Sequence, residues 1–147
     1  MKSTKYIFLF ALLSMLAACG THPPTTLQSA PDADGTLVIR ENGVLRLATG
    51  SSGQGTMALN GWQYEFEISN MILDGVGPGR IQLEGNVYNI SSASELAGTF
   101  QLTSQDTMSG EQGFWFENEN GVRVHLKAEG QEVTVRSGGG GSVVTLK

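Results

Sequence analysis

The chain holds one cysteine in 147 residues, at position 19, directly after Leu16-Ala17-Ala18. A thiol is the side chain best suited to act as a nucleophile near neutral pH. The strongest nucleophile therefore sits at the exit of a small-residue stretch. His125 is the next candidate, because nucleophilic catalysis needs such a base beside a Ser or Cys. It alternates with Arg123 and Lys127 along a polar stripe, which predicts a surface position without a catalytic role. The carboxylate pairs Glu65/Glu67 and Glu117/Glu119 have the spacing that puts both groups on one strand face. There they could move protons or hold a cation, although a solvated outer face is the simpler expectation. Residues 50–55 (GSSGQG) are a fragment of a phosphate loop, but no Lys-Ser/Thr follows. One usable histidine and scattered acids fall short of a zinc set. We therefore expect no catalytic set, no metal and no cofactor.

The residues before Cys19 have the layout of a secretory signal. Lys2 and Lys5 precede an apolar run (YIFLFALLSML), and Ala17, Ala18 and Cys19 close it. The run is too short for a comfortable transmembrane helix, which wants about 20 residues. The segment Leu16-Ala17-Ala18-Cys19 resembles the lipobox of bacterial lipoproteins. That resemblance implies a diacylglyceryl group on the Cys19 sulfur, cleavage that leaves Cys19 first, and acylation of its amine (palmitate). Gly20 follows where an Asp would favour inner-membrane retention, so the resemblance implies the outer membrane, facing the periplasm. Two or more acyl chains anchor stably, at about 0.8 kcal/mol per buried methylene.

Residues 1–18 are thus expected to be signal, and residues 19–35 a lipidated end and flexible tether. The tether carries three of the four prolines and no apolar periodicity. Removing Lys2 and Lys5 leaves 7 cations against 14 anions. Such a chain repels nucleic acid and anionic head groups, so no nucleic-acid partner is expected.

From residue 36 to 147 the hydropathy period is two. In residues 62–68 (WQYEFEI), Trp62, Tyr64, Phe66 and Ile68 are expected on the core side, opposite Gln63, Glu65 and Glu67. Further strands are expected at 36–40, 44–48, 56–59, 80–84, 86–90, 98–103, 113–117, 122–126, 132–136 and 142–146. Asn42-Gly43, Asn60-Gly61 and Asn120-Gly121 separate strand candidates, and Asn-Gly favours type I′ hairpins. Residues 75–79 (GVGPG) force another turn, and only residues 92–97 hint at a helical turn. The fold class is all-β: a small antiparallel barrel, with a two-sheet sandwich as the alternative. In Phe114-Trp115-Phe116, core phenylalanines would leave Trp115 outside, as a contact for a partner or lipid. Otherwise the strand is covered on both faces.

Residues 55–69 (GTMALNGWQYEFEIS), 85–90 (GNVYNI) and 96–100 (LAGTF) are similar to a block found in small bacterial envelope proteins. The block resembles the envelope-integrity EipA family over roughly residues 50–103. The resemblance implies a small periplasmic β-barrel that supports envelope integrity, and it carries over no catalytic residue. Asn70 stands where the pattern has Gly. The expected function is a non-enzymatic, membrane-anchored lipoprotein acting by structural or protein contact. The alternatives are a carrier or sensor of a small apolar ligand such as a lipid, and an accessory subunit of an envelope enzyme.

Overall fold

The computed structural model describes residues 30–41, 52–76, 81–108, 111–128 and 132–147. Cys19, the tether as far as residue 29, Asn42-Gly43, the strand expected at 44–48 and residues 77–80 lie outside the described residues.

The described residues form ten strands: β1 Gly35–Glu41, β2 Ser52–Leu59, β3 Trp62–Ser69, β4 Met71–Val76, β5 Gln82–Tyr88, β6 Gly98–Met108, β7 Glu111–Asn118, β8 Arg123–Ala128, β9 Glu132–Ser137 and β10 Ser142–Leu146. One 3₁₀ turn, Ala93–Leu96, falls where the sequence hints at helix. Eight strands close into an antiparallel barrel in the order β1-β2-β3-β10-β6-β7-β8-β5, with β5 returning to β1. Strands β4 and β9 form a separate two-stranded ladder. The closed barrel, not the sandwich, is the architecture.

Alternation sets the wall. Leu37, Ile39, Met57, Phe66, Ile68, Leu83, Val87, Phe100, Phe114, Phe116, Val124 and Leu126 point in and are buried. Leu96 on the 3₁₀ turn joins this core, as do Met71, Leu73, Val133 and Val135 from the β4–β9 ladder. The interior is occupied by these side chains. Its apolar void is about 20 Å³, room for about one water. Phe66 faces Gly55 across β2 and β3, and a Cβ at residue 55 would lie inside the Phe66 ring. The largest core side chain on β3 thus uses the volume that a side chain on β2 would fill.

Four details differ from the sequence reading. The two strands expected at 80–84 and 86–90 are replaced by one, β5 Gln82–Tyr88, which runs through Gly85. Strand β4 is an element the pattern did not announce, because MILDGV alternates poorly. Trp62 is 71% exposed, not core. It has the inward parity of Phe66, but it is the first residue after the turn, where the inward direction is no longer enclosed. Asn120-Gly121 is not a type I′ turn. Only Gly121 has positive φ (78°), its N–H donates to Asn118 O at 3.0 Å, and Asn118 N–H donates to Val122 O. This is a type I turn with a Gly bulge, chosen because Asn118 Oδ1 accepts from both the Asn120 and Val122 N–H groups. Asn60-Gly61, with φ of 52° and 80°, has the two positive values of type I′.

Asn70 turns the chain out of the barrel with φ of 62°, a value for which Gly and Asn are suited. Its amide donates to Gly141 O at 2.7 Å, and its carbonyl accepts from Gly138 N–H at 2.9 Å. One residue thereby fastens the β3–β4 corner to the β9–β10 corner.

Phe66→Ala should lower stability by about 3–5 kcal/mol, and Gly55→Ala by about 1–3 kcal/mol through overpacking. Urea unfolding followed by circular dichroism checks both. A Gly55→Ala loss that persists unchanged in a Phe66→Leu background would contradict the ring-on-glycine account.

Candidate functional site

Polar and aromatic side chains concentrate on the outer wall made by β5, β8, β7 and β6. Cross-strand pairing sets their rows: Asn86–His125–Trp115–Ser104 is one, Tyr88–Arg123–Glu117–Gln101 the next. Asp106 reaches this wall through a bulge. The pairing steps from Leu102↔Phe116 to Ser104↔Trp115, which skips Thr103. An extra residue reverses the facing of everything after it. Strict alternation from Phe100 would have sent Asp106 inward; the bulge brings it out beside Trp115. The Thr103 hydroxyl donates to Trp115 O at 3.1 Å.

The centre of the wall is a three-residue cluster. The Trp115 indole N–H donates to Asp106 Oδ2 at 2.9 Å, and His125 Nε2 lies 3.2 Å from Asp106 Oδ1. The His125 and Trp115 rings stack, with centroids 4.3 Å apart and planes within 15°. The Arg123 guanidinium lies 4.6 Å from the Trp115 ring centre, a cation–π contact, and Tyr88 packs at 5.5 Å. Gly113 makes room: a Cβ there would collide with Asp106 Oδ1 and His125 Nε2. This overturns the surface reading of His125. It does alternate outward, yet it is only 5% exposed, because Trp115 lies flat against it. Trp115 faces outward as alternation requires, but it is half-buried and hydrogen-bonded rather than free.

Electrostatics follow from this packing. The Trp115 N–H bond, with help from the His125 bond and charge, holds the Asp106 carboxyl below the usual carboxylate range, against its partial desolvation. Burial pushes the Tyr88 hydroxyl up, with the Asp32 charge adding to it and Arg123 opposing. The His125–Asp106 pair has a base and an acid. Among the described hydrogen bonds of His125 there is no Ser or Thr hydroxyl to activate.

The other sequence candidates do not converge here. Glu65 and Glu67 are exposed on β3, and Glu117 is exposed on β7. Glu119 Oε2 accepts the Thr99 N–H at 2.8 Å, a bond that closes the Gly98 corner. Among the described residues, no three His, Cys, Asp or Glu side chains cluster as metal ligands. Cys19 lies outside the described residues. Sequence reasoning found Trp115 and His125 but not Asp106, since the bulge that recruits it has no signature in the hydropathy pattern.

No protein-family model matches the chain, and no curated protein matches it. A solved structure, that of a β-barrel-like, uncharacterized protein from Brucella abortus, aligns over 78% of this chain and 73% of its own. The TM-score is 0.54 and the identity 15%. This likeness shows a shared small β-barrel fold.

Asp106→Asn should cost about 1 kcal/mol at neutral pH, a hydrogen-bond value discounted for exposure. The folded-state pKa of Asp106 is depressed. Its contribution is therefore full above the unfolded carboxylate value, about 3.9, and is lost as pH falls through the lower folded value. The gap between wild type and Asp106→Asn should close below about pH 4, read from urea midpoints between pH 3 and 7. Gly113→Ala should separate Asp106 from His125. It should weaken the near-ultraviolet dichroism of Trp115 while the far-ultraviolet barrel signal stays.

Proposed function

We propose that the chain is a non-enzymatic lipoprotein of the bacterial envelope, held by acyl chains on Cys19 and working through contacts made by the outer surface of its barrel. The observation that carries this reading is the filled interior. The void of about 20 Å³ compares with the few hundred that ligand pockets offer. A packed barrel leaves its exterior to do the work, which disfavours the carrier of a lipid-sized ligand.

The Cys19 environment supports the anchor, and Gly20 after it supports the outer membrane over the inner. The fold shared with the Brucella abortus barrel is compatible with the EipA-like envelope role that the 55–100 block suggests. The contact surface is proposed to be the Trp115 wall. Its exposed members, Arg123 and Glu117, ring a rigid aromatic centre, and a pre-ordered aromatic and Arg patch loses little entropy on binding.

Two measurements test this. Expressed in an envelope-bearing bacterial host, the wild-type chain should incorporate an alkynyl palmitate analogue and sediment with membranes. Cys19→Ser should lose the label and either leave the membrane or stay as precursor. A photo-crosslinker at residue 117 should trap an envelope protein that the same probe at exposed residue 67 does not. Turnover abolished by Asp106→Asn or His125→Ala would overturn the non-enzymatic reading.

A further inference from the structure

The barrel has two rims, and the chain enters at one of them. Ala30 N–H donates to Asn86 Oδ1 at 3.2 Å, and Asp34 N–H donates to Val87 O at 2.9 Å. Residues 30–34 are therefore fastened to the C-terminal end of β5. From there one cross-strand row runs Val87–Gly35–Leu59–Trp62, through β5, β1, β2 and β3. Two strand spacings separate Gly35 from Trp62, about 10 Å. The 71% exposed Trp62 thus lies on the rim where the segment from Cys19 arrives.

Three further observations bear on what meets this rim. The Trp62 side chain makes no hydrogen bond or ring contact with the described residues, in contrast to that of Trp115. Residues 56–64 (TMALNGWQY) carry no charge, in a chain of net charge −5. The hairpin tip therefore adds no charge of its own to a rim whose entry segment carries the exposed Asp32 and Asp34. The eleven residue-to-residue steps from 19 to 30 span about 36 Å fully extended and about 18 Å as a coil. That reach keeps the entry rim within touching distance of whatever holds residue 19.

We infer that the Trp62 hairpin tip rests on the bilayer that carries the anchor, with its indole at the head-group boundary. The amphipathic indole suits that zone, apolar body toward the acyl chains and N–H toward water. The inference rests on the Cys19 anchor reading and adds an orientation to it. The rim with Trp62 and the chain entry faces the lipid, and the β4–β9 ladder at the other end faces away.

The test uses the full chain, purified from bacterial membranes and reconstituted at low density in phosphatidylcholine vesicles, with and without lipids brominated near the head group. Subtracting the emission of Trp62→Ala from that of wild type isolates Trp62 and leaves the Trp115 cluster intact. The expected result is blue-shifted Trp62 emission, quenched about twofold by the brominated lipid, as for a residue at the acyl boundary. Emission as in water, unquenched, would overturn the inference. Blue-shifted but unquenched emission would mean that a second copy covers the rim, and would overturn it equally. Intact mass of the same sample tells the failures apart. A diacylated Cys19 with Trp62 in water sinks only the orientation; a bare Cys19 sinks the anchor and the orientation with it.

Discussion

The structure depends on closure of the sheet. An eight-stranded barrel has no free edges only if every strand finds two neighbours. Here β1 pairs with both β2 and β5, and the five-residue β10 inserts between β3 and β6. Strand β10, with five residues, is the shortest barrel strand and joins β3 to β6. That joint is reinforced from outside the ladder, by the Asn70 bonds to Gly138 and Gly141 and by the contact of Ser137 and Ser142 hydroxyls at 3.1 Å. Once the wall is closed, its inward side chains fill it, and the ring of Phe66 over Gly55 shows how little slack remains.

A closed wall with a full interior leaves the polar and aromatic side chains to its outer face. The Asp106–His125–Trp115 cluster is an unusual occupant of an outer face, because it buries a titratable ring there. It exists through two local departures from regular strand structure. The bulge at Thr103 turns Asp106 outward, and the missing side chain of Gly113 lets the carboxylate and the imidazole meet. Neither departure serves the core. Each instead fixes the orientation of Trp115, whose indole N–H and ring face both have partners. The wall is therefore preformed, and its exposed charges, Arg123 above all, are presented from a stiff base.

How much of this was legible in the sequence can be judged residue by residue. Alternation gave the inward side of β3, β7 and β8, because one buried face imposes a period of two, but not β4, whose MILDGV alternates poorly. It misread Trp62, since parity says which way a side chain points and not whether anything stands opposite it. It misread His125 for the converse reason: an outward residue can still be covered by a flat aromatic neighbour on the adjacent strand. The type of the Asn120-Gly121 turn was hidden because Asn118, two residues earlier, supplies side-chain bonds that favour a different loop. The likeness expected a Gly at 70, and the structure shows the reason: φ there is 62°, which Asn also tolerates. The barrel was expected, but which strands close it was not readable, because the pairing of β1 with β5 and of β10 with β3 joins segments far apart along the chain.

That distance has a kinetic meaning. No seam-free wall exists until residues 142–146 are available to stand between β3 and β6, and contacts of such long sequence separation form slowly. Until then the growing polypeptide offers two raw edges and an open apolar trough.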